Sequence, residues 1–228
     1  TFCHAIPDTW HIMGVTQGAG LSLKWFRDNF CYEEKRVAEL MDIDPYVLMD
    51  KEAEQVDAGC NGLIYLPYMM GERTPHLDPD ARGVFFGLSA KHGKQDMLRA
   101  IMEGVTYSLR DCLEIIKEMK VPVTEVRASG GGGKSKLWRQ MQADVFNADI
   151  ATINSSEGPA LGVALLAGVG TGVYDSVAQA CEAAIEVKSI QKSNSDMYEK
   201  YNKFYKIYRQ LYNSLKQDFK DLASIVNV

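Results

Sequence analysis

The sequence has no CxxC pair, no histidine or cysteine set at metal-ligand spacing, and no apolar run near the roughly 18–20 residues of a membrane span. Its five cysteines (Cys3, Cys31, Cys60, Cys112, Cys181) are odd in number and scattered. That excludes a disulfide framework and a zinc module, and fits a reducing, cytoplasmic setting. The four histidines (His4, His11, His76, His92) are likewise dispersed, so surface or packing roles are expected for each. An excess of basic charge is also missing. The net charge of −5 argues against nucleic acid as a partner, because neutralising phosphates needs a basic face. There is no signal-peptide pattern and no internal repeat. The chain also lacks an initiating methionine and enters a strand-like segment, 11–15, almost at once; a piece of a longer protein is expected.

What is present is an alternation of helices and strands. With 228 residues, 46% of them hydrophobic, the chain is long enough to bury a sizeable core. Gly18-Ala19-Gly20 opens an amphipathic helix carrying Leu21, Leu23, Trp25 and Phe26. A short helix over 33–41 follows, and Asp44-Pro45 supplies a cap and a first-turn proline for another, ending near Val56. Segment 62–68 (GLIYLPY) has no polar face and predicts a buried strand. A polar loop over 71–82 leads to a long helix over 95–119, with Leu98, Ile101, Val105, Leu109, Cys112 and Ile116 along one side. A strand at 150–154, a small-residue helix at 157–169 and a helix at 176–185 complete an α/β domain.

The most informative stretch is 125–140, a short strand, four glycines (Gly130 to Gly133) and a helix. Glycines at such a turn let a flat or anionic group approach the backbone, and the following helix offers free N–H groups and a positive dipole end. A flexible linker is the alternative, but the alternation of Val126 and Ala128 before the run and the helical spacing of Leu137, Trp138, Met141 and Val145 after it favour a nucleotide site. Residues 128–135 also fit a permissive P-loop pattern. Their position argues against that fold: little chain follows, and the strand at 150–154 ends without the magnesium-binding aspartate such folds need.

Over 195–223, Tyr201, Tyr205, Tyr208, Tyr212, Leu215, Phe219 and Leu222 alternate steps of four and three, a seam of about three heptads. A coiled-coil homodimer is one reading. The favoured one is a C-terminal helix, 195–228, docked on its own domain, 1–194, with the small residues Ala160 to Ala167 as receptor and the tyrosine hydroxyls in a half-wet groove.

Segment 83–104 (GVFFGLSAKHGKQDMLRAIMEG) resembles the C-terminal signature of the FGGY carbohydrate kinases, with Gly83, Phe85, Gly87, Leu88, Asp96, Ala100 and Glu103 at its positions. LPYMMGERTPHLDPDARG, SGGGGKSKLWRQMQADV and EGPALGVALLAG resemble xylulokinases more than glycerol kinases, so the likeness covers nearly the whole chain. The resemblance implies the second of two actin-like (ribonuclease H-like) domains, with ATP held in the cleft between them. It implies that Gly130, Gly131, Gly132 and Ser135 hold the adenosine, and that Gly20 and Lys24 lie near the phosphates. Glu72 and Arg73 are expected to face the cleft or to form an internal ion pair. The catalytic aspartate, most magnesium ligands and the sugar pocket would precede Thr1, in the chain's own N-terminal domain. The expected activity of the whole enzyme is ATP-dependent phosphorylation of D-xylulose; another pentulose or polyol kinase, or a non-catalytic actin-like nucleotide-binding module, is the alternative.

Overall fold

The computed structural model describes residues 1–155 and 158–226. In chain order the elements are β1 (Phe2–Cys3), β2 (Trp10–His11), α1 (Ala19–Phe30), α2 (Tyr32–Met41), α3 (Pro45–Glu54), a 3₁₀ turn (Cys60–Gly62), β3 (Ile64–Leu66), β4 (Val84–Phe86), α4 (Lys94–Glu118), β5 (Val126–Arg127), α5 (Gly130–Lys134), α6 (Lys136–Phe146), β6 (Ile150–Ile153), α7 (Gly158–Gly170), α8 (Val177–Ala184), β7 (Val187–Gln191) and α9 (Ser195–Val226). β1 and β2 form an antiparallel pair, as do β3 and β4, with Ile64 opposite Phe86. β5 and β6 run parallel with α6 as the crossover, and β7 adds antiparallel to β6.

α4 is the spine. Asp96 anchors its start: one carboxylate oxygen accepts from the Gly93 N–H and the other from the Asn61 side chain, each at 2.9 Å. Leu98, Ile101, Met102 and Val105 are buried along it. β3 crosses α4 at Gly104, where a Cβ would lie 2.2 Å from the Tyr65 carbonyl oxygen. Glu103, fully enclosed beside it, accepts from the Gly59 N–H at 3.1 Å and from Arg99 Nε at 2.9 Å. α6 is tied to α4 by Trp138, whose indole N–H donates to the Met102 carbonyl and the Thr106 hydroxyl. One apolar cluster lies between α1, α3 and α4; a second joins β3, α6 and α9.

Three sequence expectations need correction. The predicted strand at 11–15 pairs only at Trp10–His11, and the buried strand at 62–68 shortens to β3 because Gly62, at φ +95°, belongs to the 3₁₀ turn. The glycine run is not an open turn: Gly130–Lys134 winds into the short helix α5. β4 and β7 were not read as strands at all; β7 is almost wholly exposed and carries no buried alternation to betray it. The small-residue helix forms as α7 from Gly158, while its expected first residue, Glu157, lies outside the described residues.

α9 lies against β3, α4 and α6, and the expected receptor, α7, packs on α8 instead. Tyr201, Tyr205, Tyr208, Leu211, Tyr212 and Phe219 are buried, whereas Leu222, the last seam residue, is exposed. The buried phenols of α9 are paired within the groove. Tyr205 donates to Asp111 at 2.6 Å, Tyr212 donates to Asp78 at 2.8 Å, and Tyr201 accepts from Arg99 at 3.1 Å. Burying a phenol with its hydroxyl satisfied keeps the area term without leaving an unpaired polar group. His76 stacks on Tyr212 at 3.5 Å between centroids, and burial lowers its pKa to about 4.

Candidate functional site

Two helix starts far apart in sequence converge. α1 begins where β3 ends: a Cβ at Gly18 would sit 1.5 Å from the Pro67 carbonyl oxygen, so the backbone passes there only as glycine. Glu72 fixes the segment leading into that start. Its buried carboxylate accepts from the Thr16 hydroxyl at 2.8 Å, the Gln17 N–H at 2.9 Å and the Arg73 N–H at 2.7 Å. Thr74 and Val15 exchange two further bonds, so the loop after β3 clamps residues 15–17. α1 itself has no side-chain cap and no acidic residue in its first turn. Its first N–H groups are therefore open to an external acceptor.

The second start is α6, capped by the Ser135 hydroxyl, which accepts from the Trp138 N–H at 3.0 Å. Between the two lies a cavity of about 350 Å³, within the size range of small-molecule sites. α1 contributes Gly20 and Leu23 to its wall. The glycine helix and its junction with α6 contribute Gly131, Gly132, Lys134, Ser135 and Trp138. The third wall is the start of α3, with Asp44, Tyr46, Val47 and Asp50. A Cβ at Gly20 or Gly131 would meet no atom within 4 Å, so both glycines leave a flat backbone surface facing open space. Asp44 caps α3 through its contact with the Tyr46 N–H at 3.0 Å. The Asp50 carboxyl is half-buried; desolvation raises its pKa, opposed by the neighbouring Ser135 hydroxyl and reinforced by Glu54 and Asp44. Burial likewise raises the Tyr46 phenol, whose ring lies under the Arg27 guanidinium at 5.1 Å.

Gly20, Gly131, Gly132 and Ser135, all expected from the sequence, thus meet at one cavity. Two others do not join them. Lys24 turns along α1 to pair with Asp28 at 3.4 Å, and Gly130, at φ +69°, lines a separate depression on the β6 side with Thr152 and Asn154. Glu72 is buried in its clamp, Arg73 is exposed, and the two form no ion pair among the described residues. The α3 wall was missed. Asp44 was read only as a cap, yet a helix starting at Pro45 puts Tyr46 and Asp50 one turn apart on one face, and that spacing was the available signal.

The donor set does not suit a resident metal. Among the described residues no group of three His, Cys, Asp or Glu side chains is arranged to hold one.

Residues 2–171 match the FGGY family of carbohydrate kinases, C-terminal domain. The chain belongs to that family. A xylulose kinase of Staphylococcus epidermidis is 38% identical over 226 residues, covering 99% of this chain and 44% of the relative. A gluconokinase of Bacillus subtilis is 41% identical over 177 residues, covering 77% of this chain and 34% of the relative. Among solved structures, a ligand-bound xylulose kinase from Lactobacillus acidophilus superposes with a TM-score of 0.76 at 29% identity, over 91% of this chain and 40% of the other. The FGGY chain therefore has the actin-like fold of these kinases and spans less than half the length of the relatives it matches. The glycine helix, the α1 start and the cavity between them all lie inside the matched residues.

Proposed function

We propose that residues 1–194 are the nucleotide-side domain of an ATP-dependent sugar kinase, with 195–228 as its docked helix. The observation that carries this reading is the meeting of Gly20, Gly131, Gly132 and Ser135 at one cavity. Adenosine lies against the bare backbone of Gly131 and Gly132, and the phosphates run toward the uncapped start of α1 near Gly20. The whole enzyme moves the γ-phosphoryl group of ATP to a hydroxyl of D-xylulose. Magnesium, when bound, would screen the phosphate charge, and its ligands would come mainly from the N-terminal half. The partner of this domain is that half, with no nucleic acid involved; five free thiols suit the cytoplasm. A homodimer through α9 is disfavoured, since its aromatic face is already used.

Sugar choice lies mainly in the other half of the enzyme, because this chain carries the nucleotide wall alone. Gluconokinase relatives at comparable identity support gluconate as the second reading. ADP release by the full-length enzyme, measured with D-xylulose and with gluconate, separates the two. A kcat/KM for D-xylulose at least tenfold above that for gluconate, about 1.4 kcal/mol, is expected. The reverse ratio assigns gluconate, and no turnover with either sugar contradicts the kinase reading. The isolated chain is expected to bind nucleotide weakly and to phosphorylate neither, since phosphoryl transfer needs both reactants and the metal in line.

A further inference from the structure

The loop over 71–82 is tied at both ends, and only one of those ends has a role in the reading above. Near its start it clamps the entry to α1: Glu72 accepts from the Thr16 hydroxyl and the Gln17 N–H, and the Thr74 N–H donates to the Val15 carbonyl at 3.0 Å. Further on it meets α9. The Tyr212 hydroxyl donates to one carboxylate oxygen of Asp78 at 2.8 Å, and the His76 ring lies on the Tyr212 ring within 7° of parallel. The other Asp78 oxygen accepts from the Asp80 N–H at 2.9 Å. Backbone joins the two ends. The Glu72 N–H donates to the Asp78 carbonyl at 2.8 Å, and the Asp78 N–H returns a bond to the Glu72 carbonyl at 3.0 Å. Glu72, Asp78 and Tyr212 are all buried, so the line from α9 to the Glu72 carboxylate is shielded from solvent.

We propose that this loop is a strap by which α9 sets the position of the α1 start, which makes Tyr212 a positioning residue for the nucleotide phosphates although it does not line the cavity. This rests on the nucleotide reading above, in which the phosphates meet the open N–H groups near Gly20. Those groups act only in the right direction and at the right distance, so a small displacement of the helix start weakens their bonds to phosphate. Adenosine, lying against Gly131 and Gly132 on another wall, does not feel that displacement. Without the Tyr212 hydroxyl, the buried Asp78 carboxylate loses a donor and regains one only by moving or by admitting water. Asp78 and Glu72 share two backbone bonds, so the movement passes to the Glu72 carboxylate and on to Gln17, one residue before the Gly18 that starts α1.

The test uses the full-length enzyme and the affinities of ATP and adenosine measured by calorimetry. Tyr212→Phe keeps the ring and its stack on His76 and removes one hydroxyl. It should weaken ATP by about threefold or more and leave adenosine unchanged, a split that general loosening of the domain would not produce. Glu72→Gln should weaken ATP further, and in that background Tyr212→Phe should have no additional effect, because the strap is already broken. Thr16→Val, a smaller break in the same clamp, closes a second cycle in which the Tyr212→Phe effect should shrink. ATP affinity unchanged in Tyr212→Phe, ATP and adenosine falling together, or additive effects in the cycles overturn the proposal. Gly20→Val separates that failure from failure of the nucleotide reading: it should weaken ATP by about tenfold or more. If it does and Tyr212→Phe does not, the strap alone is refuted. ATP affinity untouched by Gly20→Val removes the phosphate placement and the strap with it.

Discussion

A Cβ added at Gly18 would fall 1.5 Å from the Pro67 oxygen, while one added at Gly131 would meet nothing within 4 Å. The two glycines look alike in the sequence, each at the approach to a helix, and the fold uses them in opposite ways. Gly18 lets α1 start against the end of β3; Gly131 leaves room for a ligand. Gly18→Ala should therefore cost roughly 3 kcal/mol or more of stability, whereas Gly131→Ala should stay within about 1 kcal/mol, since alanine is the better helix residue in α5. Urea midpoints of the two variants check this, and equal losses would mean that the glycine helix is structural throughout. The sequence reading grouped Gly130 with Gly131 and Gly132 because nothing in a run of four identical residues marks which way each faces. Only the backbone, with φ +69° at Gly130, turns that residue toward β6. Lys24 lies apart from the cavity for a related reason. Helical spacing put it over Gly20, but Asp28, one turn further, supplies a nearer partner for its ammonium.

At the scale of elements, the heptad seam of α9 and its apolar width were legible, and the surface it meets was not. A stripe of small residues is a property of one helix, and α7 had it. The real groove is assembled from β3, α4 and α6, so no single segment of sequence displays it. What the pattern could not convey is that each phenol finds a specific partner. Asp111 is the most consequential of these. Burial is the main cause that raises its carboxyl to about 6, partly offset by the Tyr205 hydroxyl and by Arg209 at 3.8 Å. A folded-state value above the unfolded 3.8 favours the neutral acid on folding. That contribution is complete below about pH 3.8 and is lost as the pH rises through about 6. Asp111→Asn keeps an oxygen for Tyr205 and removes the titration. Between pH 4 and 7 the variant should gain on the wild type by on the order of 2 kcal/mol in urea unfolding. A difference that does not change with pH would place the charge of Asp111 elsewhere in the energetics. His76 works in the other direction: its depressed value means stability lost as the pH falls from about 6.5 toward about 4, so the acid limb of the variant should steepen.

Truncation after Asn194 tests the helix as a unit. It uncovers Tyr68, Tyr107 and Leu66, all buried in the cluster that α9 completes. The melting temperature should fall at every protein concentration. A transition that instead rises with concentration in the intact chain, with a dimer lost on truncation, would make α9 an oligomerisation helix.

For the whole molecule, the alternation of elements and the order of four motifs were enough to reach the actin-like fold and the FGGY family. The short strands escaped because two or three residues carry no periodicity. The α3 wall escaped because its residues are far in sequence from the glycine helix they face, and only the packing of α1, α3 and α6 around α4 brings them together. The central claim is that this three-walled cavity holds the nucleotide while the sugar is bound by the other half of the enzyme. The most direct measurement is steady-state kinetics of Gly131→Val in the full-length enzyme, with ATP and the sugar varied in turn. A KM for ATP raised at least tenfold, about 1.4 kcal/mol, is expected, with the KM for the sugar nearly unchanged. Equal increases in both constants, or an unchanged KM for ATP, would contradict it.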